Sequence, residues 1–395
     1  MPPASLLPSQ LNPVADWLLR ETRSVAPQEL LAQLAERLSA TGIPVWRANT
    51  SIPTLHPQTY VMNLTWTSER GPEARVRPHE RVETAAYKDS PVAAVAQGAP
   101  SVRCRLAGPD ADTSYAICRE LADAGATDYL CLPLVFTSGI RKFISWATKA
   151  PGGFTREHAQ LLVDLAAVLA LRLEIESARY TLRSLLDVYL GQNAAERVLG
   201  GAFKRGTGVR IRAAIWFCDL RGFTEMSDHA PADEVVAMLD RYFESVGGPI
   251  AEHGGEILKF IGDAVLAIFT VNDGGDAGAS ARALAAATGA VAAMRKLGAE
   301  QAAAGRPAMG LGIALHFGEV MYGNIGARDR LDFTVIGAAV NEACRVESMC
   351  KPLALPLLAT RDFLERVDDK TMFRSVGTHK LKGVAQEKEL FTVVP

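Results

Sequence analysis

Apolar residues recur at helical spacing over residues 28–40 (QELLAQLAERLSA), which predicts an amphipathic helix. The pattern then shifts to β-rich runs at YVMNLTWT and YLCLPLVF, with KFISWAT following after TSGIR. Helical spacing returns from Thr155 to Leu190, with Leu162, Leu165, Leu169 and Leu173 on one stripe and then Leu182, Leu185 and Tyr189. The run Leu161–Leu173 carries Asp164 and Arg172 and is shorter than the ~20 residues that cross a bilayer, so it reads as a packed helix. Gly200, Gly201, Gly206 and Gly208 break the periodicity. Beyond Val209 short apolar strands alternate with helices: IRAAIWFCDL as a buried strand, ADEVVAMLDRYFESVGGPIAEHG as a helix, and GEILKFIGDAVLAIF as two strands joined by a tight turn. An Ala-rich helix over Asp276–Leu297 follows, then strands MGLGIALHFGEVMYGNIG and DFTVI, helix AAVNEACRVESMC, and a strand pair around LKGVAQEKELFTVV.

A chain of 395 residues suits two domains, each able to bury a core. The pattern divides it into an amino-terminal helix or arm (1–24), a mixed α/β domain (25–176), a helical linker (177–204) and an α+β domain (205–395). The later leucines of the linker allow a parallel coiled coil between two chains as well as packing on their own domain. A formal net charge of −2 argues against nucleic-acid partners and a polybasic membrane surface. Six scattered cysteines with no CxxC pair argue against a disulfide scaffold or a zinc site and fit a reducing cytoplasm. MPPASLLPSQL lacks the basic start and apolar core of a signal peptide, so a cytoplasmic protein without a membrane span is expected.

Two aspartates stand at strand ends beside glycine turns, Asp219 in FCDLRGFT and Asp263 in FIGDAVLAIF. Their oxygens are hard ligands suited to magnesium. Either alone reads equally as a turn-capping residue. After Asp219, Gly222, Phe223 and Thr224 form a loop whose backbone amides can approach a polyphosphate. No GxxxxGK[ST] occurs, which disfavours a P-loop ATPase. The triplets GGE at 254–256 and GGD at 274–276 do not continue into a GGDEF signature and read as turns. His253 and His316 stand alone in the sequence and read as surface or satisfied strand histidines, and Cys131 as a buried structural thiol.

Taken in order, FCDLRGFTEMSD, GGEILKFIGDAVLAIF, DFTVIGAAVNEACRVES and HKLKGVAQEKELF resemble the four signatures of class III nucleotidyl cyclases, over residues 205–395. The resemblance implies a ferredoxin-like, palm-type catalytic domain. The preceding sheet and helices, closed by GGFTREHAQLLVDLAAVLALRLE, resemble a GAF sensory domain of α/β type over residues 25–176.

By that resemblance Asp219 and Asp263 are the metal aspartates, with the Leu220 carbonyl as a further ligand, and two Mg2+ or Mn2+ ions serve each site. Lys259 matches the base-selecting lysine and Thr334 its partner. An ammonium donates to adenine N1, which accepts, and opposes guanine N1, which carries hydrogen. Asn341 and Arg345, four apart on one helical face, match the pair that orients the ribose and meets charge on the α-phosphate. As a lone pair they read as a solvated face. Lys382 matches a lysine for the outer phosphates, or is an exposed hairpin lysine; Arg328 and Arg330 lie in a loosely matching loop. The implied enzyme is an adenylate cyclase acting on ATP as a homodimer, with metal aspartates from one chain and base and transition-state residues from the other, under an unidentified signal at the amino-terminal domain. The rivals are a guanylate or mixed-specificity cyclase and a non-catalytic nucleotide-sensing dimerisation module.

Overall fold

The computed structural model describes residues 12–22, 25–56, 59–77, 85–306, 309–384 and 386–394. The chain divides into two compact units, Met1–Val188 and Tyr189–Pro395. Its elements begin with α1 (Asn12–Arg20), α2 (Pro27–Ala40), β1 (Arg47–His56), β2 (Thr59–Thr67), β3 (Gly71–Arg77), α3 (Ala85–Lys88), α4 (Pro91–Ala96), β4 (Val102–Arg105), α5 (Ala116–Asp123), β5 (Asp128–Val135), β6 (Arg141–Thr148) and α6 (Arg156–Leu190). Of the amino-terminal arm expected over 1–24, residues 12–20 are helical, and residues 1–11, 23 and 24 lie outside the described ones.

The first unit is built on an antiparallel sheet ordered β3-β2-β1-β6-β5-β4. One face packs against α1, α2 and α6 through residues such as Leu34, Ile144 and Trp146; the other packs against α4 and α5 through Val95, Cys118 and Cys131. The leucine stripe explains the seat of α6: Leu161, Leu162, Leu165, Leu169 and Leu173 are all buried. Each contributes about 1.5–3 kcal/mol relative to exposure. Leu182 and Tyr189, further along α6, are exposed.

Asp128 is a buried charge in this unit with its partners built around it. Asp128 is fully buried; its Oδ2 accepts from Arg103 Nη2 at 2.6 Å and from the Phe154 amide at 3.0 Å. Gly153 makes that possible: its φ is +75°, and a Cβ there would lie 2.6 Å from Asp128 Oδ2.

The second unit contains α7 (Gln192–Leu199), β7 (Gly208–Arg221), α8 (Phe223–His229), α9 (Ala232–Glu252), β8 (Glu256–Ile261), β9 (Ala264–Thr270), α10 (Gly275–Ala303), β10 (Gly310–Gly326), β11 (Leu331–Ile336), α11 (Ala338–Glu347), β12 (Leu357–Thr360), α12 (Arg361–Leu364), β13 (Phe373–His379) and β14 (Lys388–Val393). Its sheet runs β13-β14-β12-β10-β7-β9-β8, with β11 pairing on β10. Alternation along the central strands divides the side chains. Trp216, Cys218, Ile313 and Leu315 enter a core closed by α9 and α10, while Ala213, Ile215 and Val320 face α7 and α11. Among the described residues no helix is long and apolar enough to cross a membrane.

Removing a partner from a buried ion pair costs about 3–5 kcal/mol, because the other charge is left unpaired. Asp128→Ala is therefore expected to lower the stability of the first unit by that amount. Urea denaturation followed by tryptophan fluorescence checks it, since Trp66 and Trp146 are buried there.

Candidate active site

Asp219 sits near the end of β7, where antiparallel pairing with β10 sets it opposite Gly312. Asp263 occupies the turn between β8 and β9, made tight by Gly262 at φ +64°. Pairing of Cys218 with Val265 brings this turn alongside the end of β7, and the two carboxyls meet within hydrogen-bonding reach. Burial, and then the charge of Asp263, push the Asp219 carboxyl up to about 6, while the Leu220 amide donates to it at 3.1 Å. The protein has assembled two oxygen donors that repel one another, a fit for a hard divalent cation.

A third carboxylate that the sequence reading did not single out joins them. Glu347 ends α11, and its Oε1 would lie 2.4 Å from a Cβ placed on Gly312, directly across the ladder from Asp219. Burial, then Asp219, raise its carboxyl to about 7, against the pull of Arg221. Arg221 in turn donates to the Leu355 carbonyl. Gly222 follows in the left-handed region at φ +87° and leads into α8; Phe223 packs its ring on the α9–α10 core. Thr224 lies in the first turn of α8, with its side chain outside the described ones.

Lys259 projects from β8 just after a bulge between Ile257 and Lys259, opposite Leu266 and on the same side of the sheet as Asp219. Its ammonium contacts Asp332 rather than Thr334. Asp332 and Thr334 are two apart on β11 and share a strand face. Both partners of the ion pair are 42% exposed, where such a pair contributes about 0–1 kcal/mol, so its consequence is the aim of the lysine more than stability.

Asn341 is exposed on α11, and Arg345, one turn on, donates from Nη1 to the Gly383 carbonyl at 3.2 Å. That contact places Arg345 beside exposed Lys382 in the turn before β14. Arg328 and Arg330 are exposed in the loop between β10 and β11. Within one chain, then, three groups form: Asp219, Asp263 and Glu347; Lys259, Asp332 and Thr334; and Arg345 with the 382–383 turn. Asp332 was legible from period-two alternation with Thr334, and Glu347 as a carboxylate four residues beyond buried Ala343.

His253 caps the end of α9, with Nδ1 2.9 Å from the Pro249 carbonyl oxygen. His316 is buried in mid-β10, with other neighbours described below. Cys131 is buried in the α4–α5 core, and Gly254 and Gly275 take the positive φ of turns.

Because the folded Asp219 carboxyl titrates above its unfolded value, stability from this group is full below about pH 4 and is lost as pH rises through about 6. Asp219→Asn is expected to raise the melting temperature of the metal-free protein by a few degrees at neutral pH, with the difference closing near pH 4. Thermal denaturation across that range checks it.

Residues 211–394 match a family model described as Adenylate and Guanylate cyclase catalytic domain. The chain is 31% identical over 194 residues to Adenylate cyclase 1 of Rhizobium meliloti (strain 1021), across 49% of this chain and 29% of that one. It is 34% identical over 193 residues to an adenylate cyclase of Anabaena cylindrica, across 48% and 36%. The chain spans about a third of the length of these curated relatives. Among solved structures, the adenylyl cyclase CyaB from P. aeruginosa is 27% identical with a TM-score of 0.44, over 48% of this chain and 96% of that one. The guanylyl cyclase Cya2 is 31% identical with a TM-score of 0.42, over 47% and 93%. The match to the adenylate and guanylate cyclase catalytic domain thus takes in residues 211–394, the greater part of the second unit and just under half of the chain.

Proposed function

We propose that the protein is an adenylate cyclase that converts ATP to 3′,5′-cyclic AMP and pyrophosphate, governed by its amino-terminal unit. The convergence of Asp219 and Asp263, with Lys259 on the same hairpin as Asp263, carries this reading. Two like charges forced together at a strand end are costly to the apo fold and are relieved by a cation. Asp219, Asp263 and the Leu220 carbonyl would hold magnesium or manganese, which when bound would supply the Lewis acidity that acidifies the ribose 3′-hydroxyl and offsets triphosphate charge.

The remaining work falls to the chain. Backbone amides at Gly222, Phe223 and Thr224 receive phosphate oxygens. Lys259, steadied by Asp332, donates to adenine N1, and the Thr334 hydroxyl accepts from the adenine amino group. Asn341 orients the ribose, Arg345 meets the charge that develops on the α-phosphate, and Lys382 takes the outer phosphates. The 3′-oxygen loses its proton and attacks the α-phosphorus; the bond to the bridging oxygen breaks and pyrophosphate leaves.

The functional unit is a homodimer, in which Arg345 and Lys259 of one chain serve the aspartates of the other. Two features of the single chain support this. Arg345 is turned to Gly383, and apolar Phe260 and Ile261, which follow Lys259 on β8, are about half exposed. The first unit, by its resemblance to GAF domains, is the sensor, with α6 as its output.

Full-length protein incubated with ATP or GTP and either metal is expected to yield cyclic AMP from ATP. Asp219→Ala abolishes the product, and Arg345→Ala lowers kcat by about 100-fold or more. Lys259→Glu shifts use toward GTP; an unchanged preference refutes the role of Lys259. No cyclic product from either nucleotide, with the full chain or the fragment from residue 205, refutes the enzyme. Product from the fragment alone shows a catalytic unit restrained by the first.

Asp332→Asn separates aim from chemistry. The KM for ATP is expected to rise several-fold with kcat largely kept, because the lysine loses its orienting partner but not its charge.

A further inference from the structure

Helix α11 presents a second carboxylate to the sheet, one turn from its start. Gly318 on β10 admits the helix closely, since a Cβ there would lie 2.6 Å from the Cβ of Ala339. Glu342, three residues along α11, therefore comes down over His316, two residues before Gly318 on the same strand face. Asp362 reaches the same point from α12, and one ligand atom from each of the three residues lies within 4.8 Å of the others.

Glu342 Oε1 is 3.0 Å from Lys388 Nζ and 3.9 Å from His316 Nδ1. The carboxylate of Asp362 makes no hydrogen bond or ion pair among the described residues. Arg366, the other cation nearby, is spent elsewhere: Nη1 donates to the Asp362 main-chain carbonyl at 2.5 Å, and Nε is 3.4 Å from Asp276 Oδ2. Two carboxylates and one imidazole therefore converge at a half-closed point, with Lys388 and Arg366 as the cations around them.

The imidazole is also oriented. His316 is 5% exposed, and its Nδ1 is 2.9 Å from Thr360 Oγ1. Nδ1 is also the ring nitrogen 3.9 Å from Glu342 Oε1, so the Thr360 contact fixes the imidazole at the edge where the carboxylate stands.

We propose that His316, Glu342 and Asp362 bind a divalent transition-metal ion, zinc foremost, which fastens α11 to β10 and α12. One imidazole with two carboxylates suits zinc better than magnesium, which favours oxygen alone. The proposal is independent of the nucleotide chemistry.

The test uses the full chain carrying Asp219→Asn, which weakens the aspartate pair, stripped with chelator and titrated with Zn2+ in millimolar magnesium by calorimetry. One zinc per chain is expected, with a rise in melting temperature. Asp362→Asn and Glu342→Gln should each weaken binding beyond the roughly 10–100-fold carried by outer partners. Lys388→Gln should tighten it, whereas loss of a purely structural ion pair would lower stability and leave zinc binding unmoved. Asp362 is only partly buried, so its amide keeps the fold where a change at His316 would not. Absence of zinc binding, or binding equally tight in Asp362→Asn and Glu342→Gln, overturns the site.

Discussion

The antiparallel pairing of β7 with β10, continuous from Gly208 opposite Gly323 to Arg221 opposite Gly310, sets the candidate site in the second unit. Register in such a ladder is all or nothing, because a slip of one residue sends each side chain to the other face. Here it commits Trp216 and Cys218 to the core under α9 and α10 and Asp219 to the opposite side. It also puts Gly312 across from Asp219, and the missing side chain is the space that Glu347 occupies. A hydrogen-bonding pattern made for stability thus decides which carboxylates meet.

Long periodic elements were legible before any coordinates. The stripe of α6, the strands FCDL and AVLAIF, the tight turn at Asp263 and the helix with Asn341 and Arg345 all lie where the apolar spacing puts them. Short elements were not. β4 and β12 are four residues each, too few for a period to show, and PLALPLLAT is apolar throughout, so nothing marks Leu357–Thr360 as a strand. β1, in RANTSIPTLH, mixes polar and apolar residues, and its buried Asn49 and Thr50 are held by donation to the Leu64 and Phe143 carbonyls, which no apolar spacing reveals.

Convergence was the other blind spot. Lys259 and Asp332 are 73 residues apart, and His316 meets acids from α11 and α12 that no local spacing links to it. A histidine alone in sequence is not alone once β10, α11 and α12 are packed. α11 concentrates this effect. Its buried stripe runs Ala339, Ala343 and Val346, with Glu342 and Glu347 at the stripe's edges. Carboxylates on the inward side of a short helix cost stability unless something answers them, and each has a different answer. Glu342 has Lys388, whereas Glu347 has Arg221 set against the like charge of Asp219.

The bulge in β8 separates two kinds of change. Ile257 pairs with Ala267 and Lys259 with Leu266, so Leu258 is an extra residue that the ladder steps over. Losing it would regularise the strand and leave Lys259, Asp263 and their cross-strand partners where they are. A deletion at Leu258 is thus a change of strand length alone, whereas one between Lys259 and Asp263 would move the lysine relative to the turn.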